Sequence, residues 1–508
     1  MKRNLLFIVF VGLFFVFSAN LFAQSPKKIL SNASKALGGE KALKFVRAYE
    51  KRGRIVRVKD NSTGSFEMQA TEPNFYNVIY DFDGFETEAG FNGRSGWIRD
   101  SREGLKTLTG KASDDFKAEV LYRNWLWVDY KKRRAKITDG GKANVNGKQT
   151  NVVLLTSSEG VPIKMFFDPT TNYLVREEIP AGDIVKVFEY DDYRQVGKIK
   201  EPFEMKAEIG DEKFEIRFDQ IQHNTMISQG KFDFPKISSE PLPDIPKLLE
   251  EIQANQEKIE EILEDYSYKQ KIIKREISDD GILRDTESET FQLSFYKGYR
   301  IRRLIEKDGK PLSAKDQSKE DENVQDEVKD IEKKIAEDEA RRISQSSNGS
   351  PAGEGRNVSI SEVLKASRLI NPRRERLKGR DVIVFDFEPN PNFDTKNAKS
   401  MLKFFGKTGG VIWVDENDKQ IARIEAALFD SYKIGGGLLA KLRKGASFTL
   451  EQERINDEIW LPTVADINLS VRVLLVKGVE VNQVIKSYDY RKFKTEVEDA
   501  KVNDLKEN

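Results

Sequence analysis

The chain has 508 residues, with 85 Lys and Arg against 84 Asp and Glu, one histidine and no cysteine. Without cysteine there is no lipid-modified N-terminal Cys, disulfide framework, thiolate metal site or Cys nucleophile, and a single histidine excludes multi-histidine zinc sites. The balanced charge gives no overall field to recruit nucleic acid, and the length predicts two or three domains rather than one core.

Lys2 and Arg3 precede an apolar run from Leu5 to Phe17, too short to cross a bilayer as a helix and followed by small and polar residues at Ala23 and Gln24. Residues 1–23 are therefore expected to be a cleavable secretory signal, with the mature chain in the periplasm. Next, Ile29, Ala33, Ala36 and Leu37 recur at helical spacing before Gly38-Gly39, the pattern of an amphipathic helix with a glycine stop. From Tyr49 onward short apolar or alternating runs are divided by turn signals such as Asp60-Asn61, Asp83-Gly84 and Asn92-Gly93. More such runs follow at Val152–Leu155, Lys164–Phe167, Tyr173–Glu177, Ile184–Tyr190, Phe203–Ile209 and Phe214–Phe218, with little room for crossover helices. An antiparallel meander is predicted over 25–235.

Pro241, Pro243 and Pro246 mark 236–246 as a linker. Ile245, Leu248, Ile252, Asn255, Ile259 and Ile262 then alternate three and four apart, as in a long helix that either pairs in a coiled coil or lies across the following sheet. Strands resume from Tyr266, and a second domain is predicted over 247–495 with a polar tail at 496–508. Within it, 313–355 reads as a charged, mobile insertion, although Val324, Val328, Ile331 and Ile335 keep a helical stripe. Ser359 and Glu362 form a capping box for a helix through Ile370, after which strands return at Val382–Phe387 and Val411–Val414.

The two halves echo each other. Phe166-Phe167-Asp168 leads to Arg176, and Ile412-Trp413-Val414-Asp415 leads to Arg423, with the same step from Asp to Arg. Each reads as a strand, a polar turn after the Asp, and a returning strand. Glu201-Pro202-Phe203 likewise echoes Leu461-Pro462-Thr463. With the first helix and Gly38-Gly39, the strand at Tyr49, Pro73-Asn74-Phe75, Asn92-Gly93 to Gly96-Trp97, and Phe166-Phe167-Asp168, the chain resembles the LolA/LolB-like lipoprotein-localisation family. The resemblance implies an α+β fold of two tandem antiparallel half-barrels, each a curved sheet started and covered by helices. It also implies a concave face that holds acyl chains. The family's carriers have one such unit, and no residue here matches a carrier's transfer site.

The chemistry visible in the sequence suits binding better than catalysis. His223 has no partner nearby in the chain, Asp81 with Asp83 and Asp191 with Asp192 suit turns, and Gly435-Gly436-Gly437 lacks the sequel of a phosphate loop. The aromatic residues Phe75, Tyr76, Trp97, Trp125 and Trp127, with Phe385 and Trp413 in the second half, either fill cores or line an apolar pocket. Trp125 and Trp127 share a face if they lie on a strand. Leu438, Leu439 and Leu442 with Lys441, Arg443 and Lys444 form either a solvated turn or a membrane-touching flap, and the cluster from Arg373 to Arg380 is either plain surface or a site for anionic head groups or the acidic insertion. The expectation is a non-enzymatic carrier of lipid, lipoprotein acyl chains or another apolar ligand, without cofactor or metal. The rival is an envelope interaction or sensory module that binds a protein segment.

Overall fold

The computed structural model describes residues 25–277, 283–344, 366–393, 406–428, 432–434, 440–442, 446–472 and 479–492. The expected leader, the Ser359/Glu362 capping box, Gly435–Gly437, Leu438, Leu439, Arg443 and Lys444, residues 345–355 and the 496–508 tail lie outside them. The chain divides into two units, one of Met1–Ser101 with Lys111–Asp233, the other of Arg102–Gly110 with Phe234–Asn508.

The first unit starts with helix α1 (Pro26–Ala36), capped by the Ser25 hydroxyl, which accepts from the Lys28 amide, and opened by Pro26 in its first turn. Ile29, Leu30 and Ala33 form its buried face. The chain leaves α1 through Gly38 at φ +124°, where a Cβ would lie 2.4 Å from the Lys198 carbonyl oxygen, so only glycine fits. Helix α2 (Glu40–Phe45) leads into β1 (Ala48–Arg57), β2 (Ser62–Thr71), β3 (Phe75–Phe82), β4 (Phe85–Asn92) and β5 (Gly96–Asp100). After β6 (Gly104–Thr107), which groups with the second unit, helix α3 (Gly110–Arg123) precedes seven strands. These are β7 (Lys136–Val145), β8 (Lys148–Thr156), β9 (Pro162–Phe167), β10 (Leu174–Ala181), β11 (Ile184–Val196), β12 (Ile199–Ile209) and β13 (Glu212–His223). The open antiparallel sheet runs β5–β4–β3–β2–β1–β13–β12–β11–β10–β9–β8–β7. Helix α3 is the crossover that the sequence offered little room for.

In the second unit α4 (Ile245–Leu263) is capped by Asp244, whose carboxylate accepts from the Lys247 amide at 2.9 Å. It lies across its own sheet: Leu248 and Ile252 pack with Ile383, Phe385, Ile412 and Val414. Tyr266 starts β14, where the sequence has strands resume. The strands are β14 (Tyr266–Ile277), β15 (Leu283–Tyr296), β16 (Tyr299–Lys307), β17 (Lys310–Pro311), β18 (Ser367–Leu377), β19 (Arg380–Pro389), β20 (Thr408–Asp415), β21 (Ile421–Leu428), β22 (Tyr432–Ile434), β23 (Ala440–Leu442), β24 (Ser447–Ile455), β25 (Ile459–Arg472) and β26 (Val479–Lys492). Their open order is β17–β16–β15–β14–β26–β25–β24–β21–β20–β19–β18. Ile370, expected in a helix, is in β18.

The two orders superimpose strand for strand from β1 and β14, so that β10 corresponds to β21 and β7 to β18. The fold is thus α+β, two open antiparallel sheets each started by a helix. Between β17 and β18, where the first unit has α3, stands α5 (Ala314–Ser344). The segment expected to be a mobile insertion is thus, in its first part, the counterpart of the crossover helix. Ile331 is buried, Glu332 accepts from the Tyr296 hydroxyl at 2.8 Å, and Asp321 pairs with Arg303 at 2.6 Å. Its charge comes from the solvated side of the stripe.

Candidate binding cleft

The first unit contains a cleft of about 110 Å³ between the end of α1, the turn after α3 and the face of the sheet that those elements cover. Its apolar wall includes Leu37, Trp125, Trp127, Met165, Phe167 and Met205. The two tryptophans stand edge to face, their ring centroids 6.2 Å apart.

Trp125 and Trp127 come from the turn that ends α3, not from a strand. The Leu126 amide donates to the Leu121 carbonyl at 3.0 Å and the Trp125 amide to the Tyr122 carbonyl at 3.1 Å, which is the Schellman arrangement. In that motif the residue with left-handed φ is usually glycine. Here it is Trp125, at φ +62°. A left-handed non-glycine residue costs about 1–2 kcal/mol, so the indole is held in the cleft wall against a local backbone penalty.

Charged groups lie among the apolar ones, and apart from Lys200, whose ammonium donates to the Tyr173 hydroxyl at 2.6 Å, they stand in ion pairs. Arg123 pairs with Glu177 at 2.6 Å and also accompanies Glu119, while the Tyr190 hydroxyl donates to Glu177 at 2.6 Å. Lys186 takes the second contact to Glu119 at 2.7 Å. Lys51 and His223 both reach Glu201, at 2.8 and 2.9 Å. His223 therefore has a partner, one brought from β12 by the fold. Burial alone would raise Glu119 and Glu201, but Lys186 with Arg123, and Lys51 with His223, more than offset it and hold both carboxylates below the usual glutamate range. Burial pushes the hydroxyls of Tyr122, Tyr190 and Tyr193 well above the usual tyrosine range. Sequence reasoning missed this network. Its one signal is Glu177, a carboxylate two residues before Ile179 on a strand whose alternation calls for an apolar side chain there; both are fully buried.

Of the aromatic residues singled out in sequence, only Trp125 and Trp127 line this cleft. Phe75 and Tyr76 are consecutive in β3 and point to opposite faces. Tyr76 is buried edge-on against Phe116 of α3. Phe75 and Trp97 share the other face: Phe75 packs 5.5 Å from the Phe232 ring, and the Trp97 indole, fully buried over Gly90, donates to the Phe232 carbonyl at 3.3 Å. Trp97 fills a core. In the second unit Phe385 faces α4, whereas Trp413 packs with Val382 and Val384 on the opposite face and donates to Glu375 at 3.2 Å. Those two cannot line one cavity.

The remaining sequence candidates have structural work. Asp81 accepts from the Gly84 amide at 2.7 Å, and Asp191 from the Asp192 amide at 2.8 Å. The basic cluster is divided: Arg373 pairs with Glu375 and Asp386, Arg374 with Glu416, and Arg380 with Asp415 and Asp418, whereas Arg376 and Lys378 are exposed beside Asp381 and beside Glu451 and Glu453. Among the described residues no cluster of His, Cys, Asp and Glu could hold a metal ion.

No protein-family model matches the chain, and no curated protein matches it. Solved structures do. A DUF1329 family protein from Desulfovibrio piger matches at 12% identity with a TM-score of 0.30, covering 41% of this chain and 96% of its own. An outer membrane lipoprotein-sorting protein domain from Vibrio parahaemolyticus matches at 12% identity and TM-score 0.29, covering 41% and 97%. A LolA superfamily protein from Nitrosomonas europaea matches at 11% identity and TM-score 0.29, covering 41% and 98%. Over about 41% of its length the chain is similar in structure to LolA-superfamily and outer-membrane lipoprotein-sorting proteins.

Proposed function

We propose that the first unit is a non-enzymatic periplasmic binding protein whose cleft takes an apolar chain, such as an acyl chain of a lipid or lipoprotein. The observation that carries this reading is the placement of Trp125 at a glycine position, where it walls an apolar cleft at a cost to the backbone. The matched charges agree with it. Arg123 with Glu177 and Lys51 with Glu201 are already in ion pairs, so an apolar chain can enter beside them without leaving a bare charge. Each methylene buried in the cleft gains about 0.8 kcal/mol before the cost of association.

The test is titration of the detergent-free protein with a fluorescent fatty-acyl probe, with native mass spectrometry of the same sample. Saturable uptake, displaced by unlabelled fatty acid, is expected. A protein that takes up no probe and carries no lipid from its host would overturn the reading.

A further inference from the structure

The chain as a whole is electrically balanced, but its charge is not evenly placed. Residues 25–47, which hold α1 and α2, carry six cations and one acid, and residues 129–136, which follow the cleft tryptophans, carry five cations and one acid. The structure brings the two segments together. A recess beside the cleft is lined by Lys27, Lys35, Lys131 and Lys132 together with Trp127, which is also a wall of the cleft. Both acids, Glu40 and Asp129, are taken by Lys44 alone, each at 2.6 Å. Lys27, Lys28, Lys35, Lys41, Lys131 and Lys132 are exposed and have no carboxylate partner among the described residues.

The same surface carries an apolar tip. Phe45, at the end of α2, is 59% exposed, with the Lys198 ammonium 4.8 Å from its ring centroid. It borders a second open recess with Lys41, Lys44 and Arg47. Cations around an exposed aromatic ring are the composition of a surface that meets lipid head groups and sinks one ring among them. An acidic protein partner would account for the lysines but not for the isolated phenylalanine.

We infer that the α1–α2 face and residues 129–136 form a docking surface for a bilayer rich in anionic phospholipid, with Phe45 as its apolar anchor. The inference rests on the proposed cleft function only to explain why Trp127 belongs to both the surface and the cleft. Long-range attraction of this kind is screened within about 8 Å at physiological salt and about 3 Å at 1 M, so docking should be salt-sensitive.

The experiment is co-sedimentation of the full chain with phosphatidylcholine vesicles, with or without a third of phosphatidylglycerol. Retention only on the anionic vesicles, lost in 1 M NaCl, is expected. At about 1 kcal/mol per cation near the surface, the double charge reversals K27E/K28E and K131E/K132E should each weaken retention at least tenfold. Phe45→Ala should weaken it further. These exposed changes should leave the circular dichroism unchanged, and uptake of the acyl probe in vesicle-free solution reads the cleft separately. Equal retention on both vesicle types, retention on neither, or undiminished binding by both reversals overturns the inference.

Discussion

Arg176 and Arg423 hold the same place in the two units. Each lies opposite the aromatic residue two before a turn aspartate, Phe166 before Asp168 and Trp413 before Asp415. The guanidinium carbons are 5.7 and 5.5 Å from those ring centroids. Each arginine pairs with the glutamate two residues on, Glu178 or Glu425, and with one on the next strand, Glu189 or Glu451. The turns match as well: Asn172 and Lys419, four after each aspartate, have φ of +59° and +53°. Repetition thus reaches individual hydrogen bonds, yet the surroundings have diverged.

That divergence sets the first prediction. Asp168 accepts from the Thr170 and Thr171 amides in an exposed turn, whereas Asp415, whose side chain is fully buried, accepts from Asn417 and Asp418 and also pairs with Arg380. Asp168→Ala should cost about 1 kcal/mol and Asp415→Ala about 2–3 kcal/mol, because the second removes charge-assisted partners from a buried site. Urea denaturation of the two variants checks this, and equal losses would show that burial does not distinguish the turns.

Helix α5 sets the second. Ile331 is its buried anchor, and Val324 and Val328 are half-buried. Ile331→Ala should destabilise the second unit by roughly 2 kcal/mol, with smaller effects at the two valines. An unchanged urea midpoint would mean that α5 is dispensable to the packing.

Much of this architecture was legible in the sequence and some was not, for physical reasons. Hairpins announced themselves because left-handed turn positions need residues such as Asn61, Asp83 and Gly84, all of which have positive φ. The repeat showed through the Asp-to-Arg step because turn length fixes register. Helix α3 was hidden because its buried face includes Asp115, Glu119 and Tyr122 beside Phe116 and Val120, so apolar periodicity is weak. Glu119 and Arg123 pair along the helix, but their nearer partners, Lys186 and Glu177, come from other elements, which no local pattern reveals. The division of Phe385 from Trp413 was equally hidden, since it depends on the register between β19 and β20.

Buried tyrosines set the third prediction. Burial raises Tyr76, Tyr122, Tyr190 and Tyr193 well above their ordinary value of 10.0. Above pH 10 the unfolded chain loses these protons while the folded chain keeps them, so the folded state binds more protons and stability falls as pH rises. Each such tyrosine contributes up to about 1.4 kcal/mol per pH unit beyond 10. The share of the 295 nm absorbance rise that belongs to these buried tyrosines should therefore appear together with loss of the circular dichroism signal, not ahead of it. Ionisation of every tyrosine in a still folded protein would contradict the burial of these hydroxyls.

The last prediction separates the tryptophans of the core from those of the cleft. Trp97 is fully buried and its indole nitrogen is bonded to the Phe232 carbonyl, so Trp97→Ala should cost about 3–5 kcal/mol. Trp127→Ala gives up contacts on one side only and should cost less. Trp125 permits a cleaner test, because glycine is the residue its left-handed turn prefers. Trp125→Gly removes the cleft wall and relieves about 1–2 kcal/mol of backbone cost at the same step, offsetting the lost edge-to-face contact with Trp127. Its urea midpoint should stay close to that of the parent while uptake of the acyl probe falls severalfold. If Trp125→Gly is as destabilising as Trp97→Ala, the indole serves packing, and if it retains full uptake, the probe binds somewhere other than this cleft.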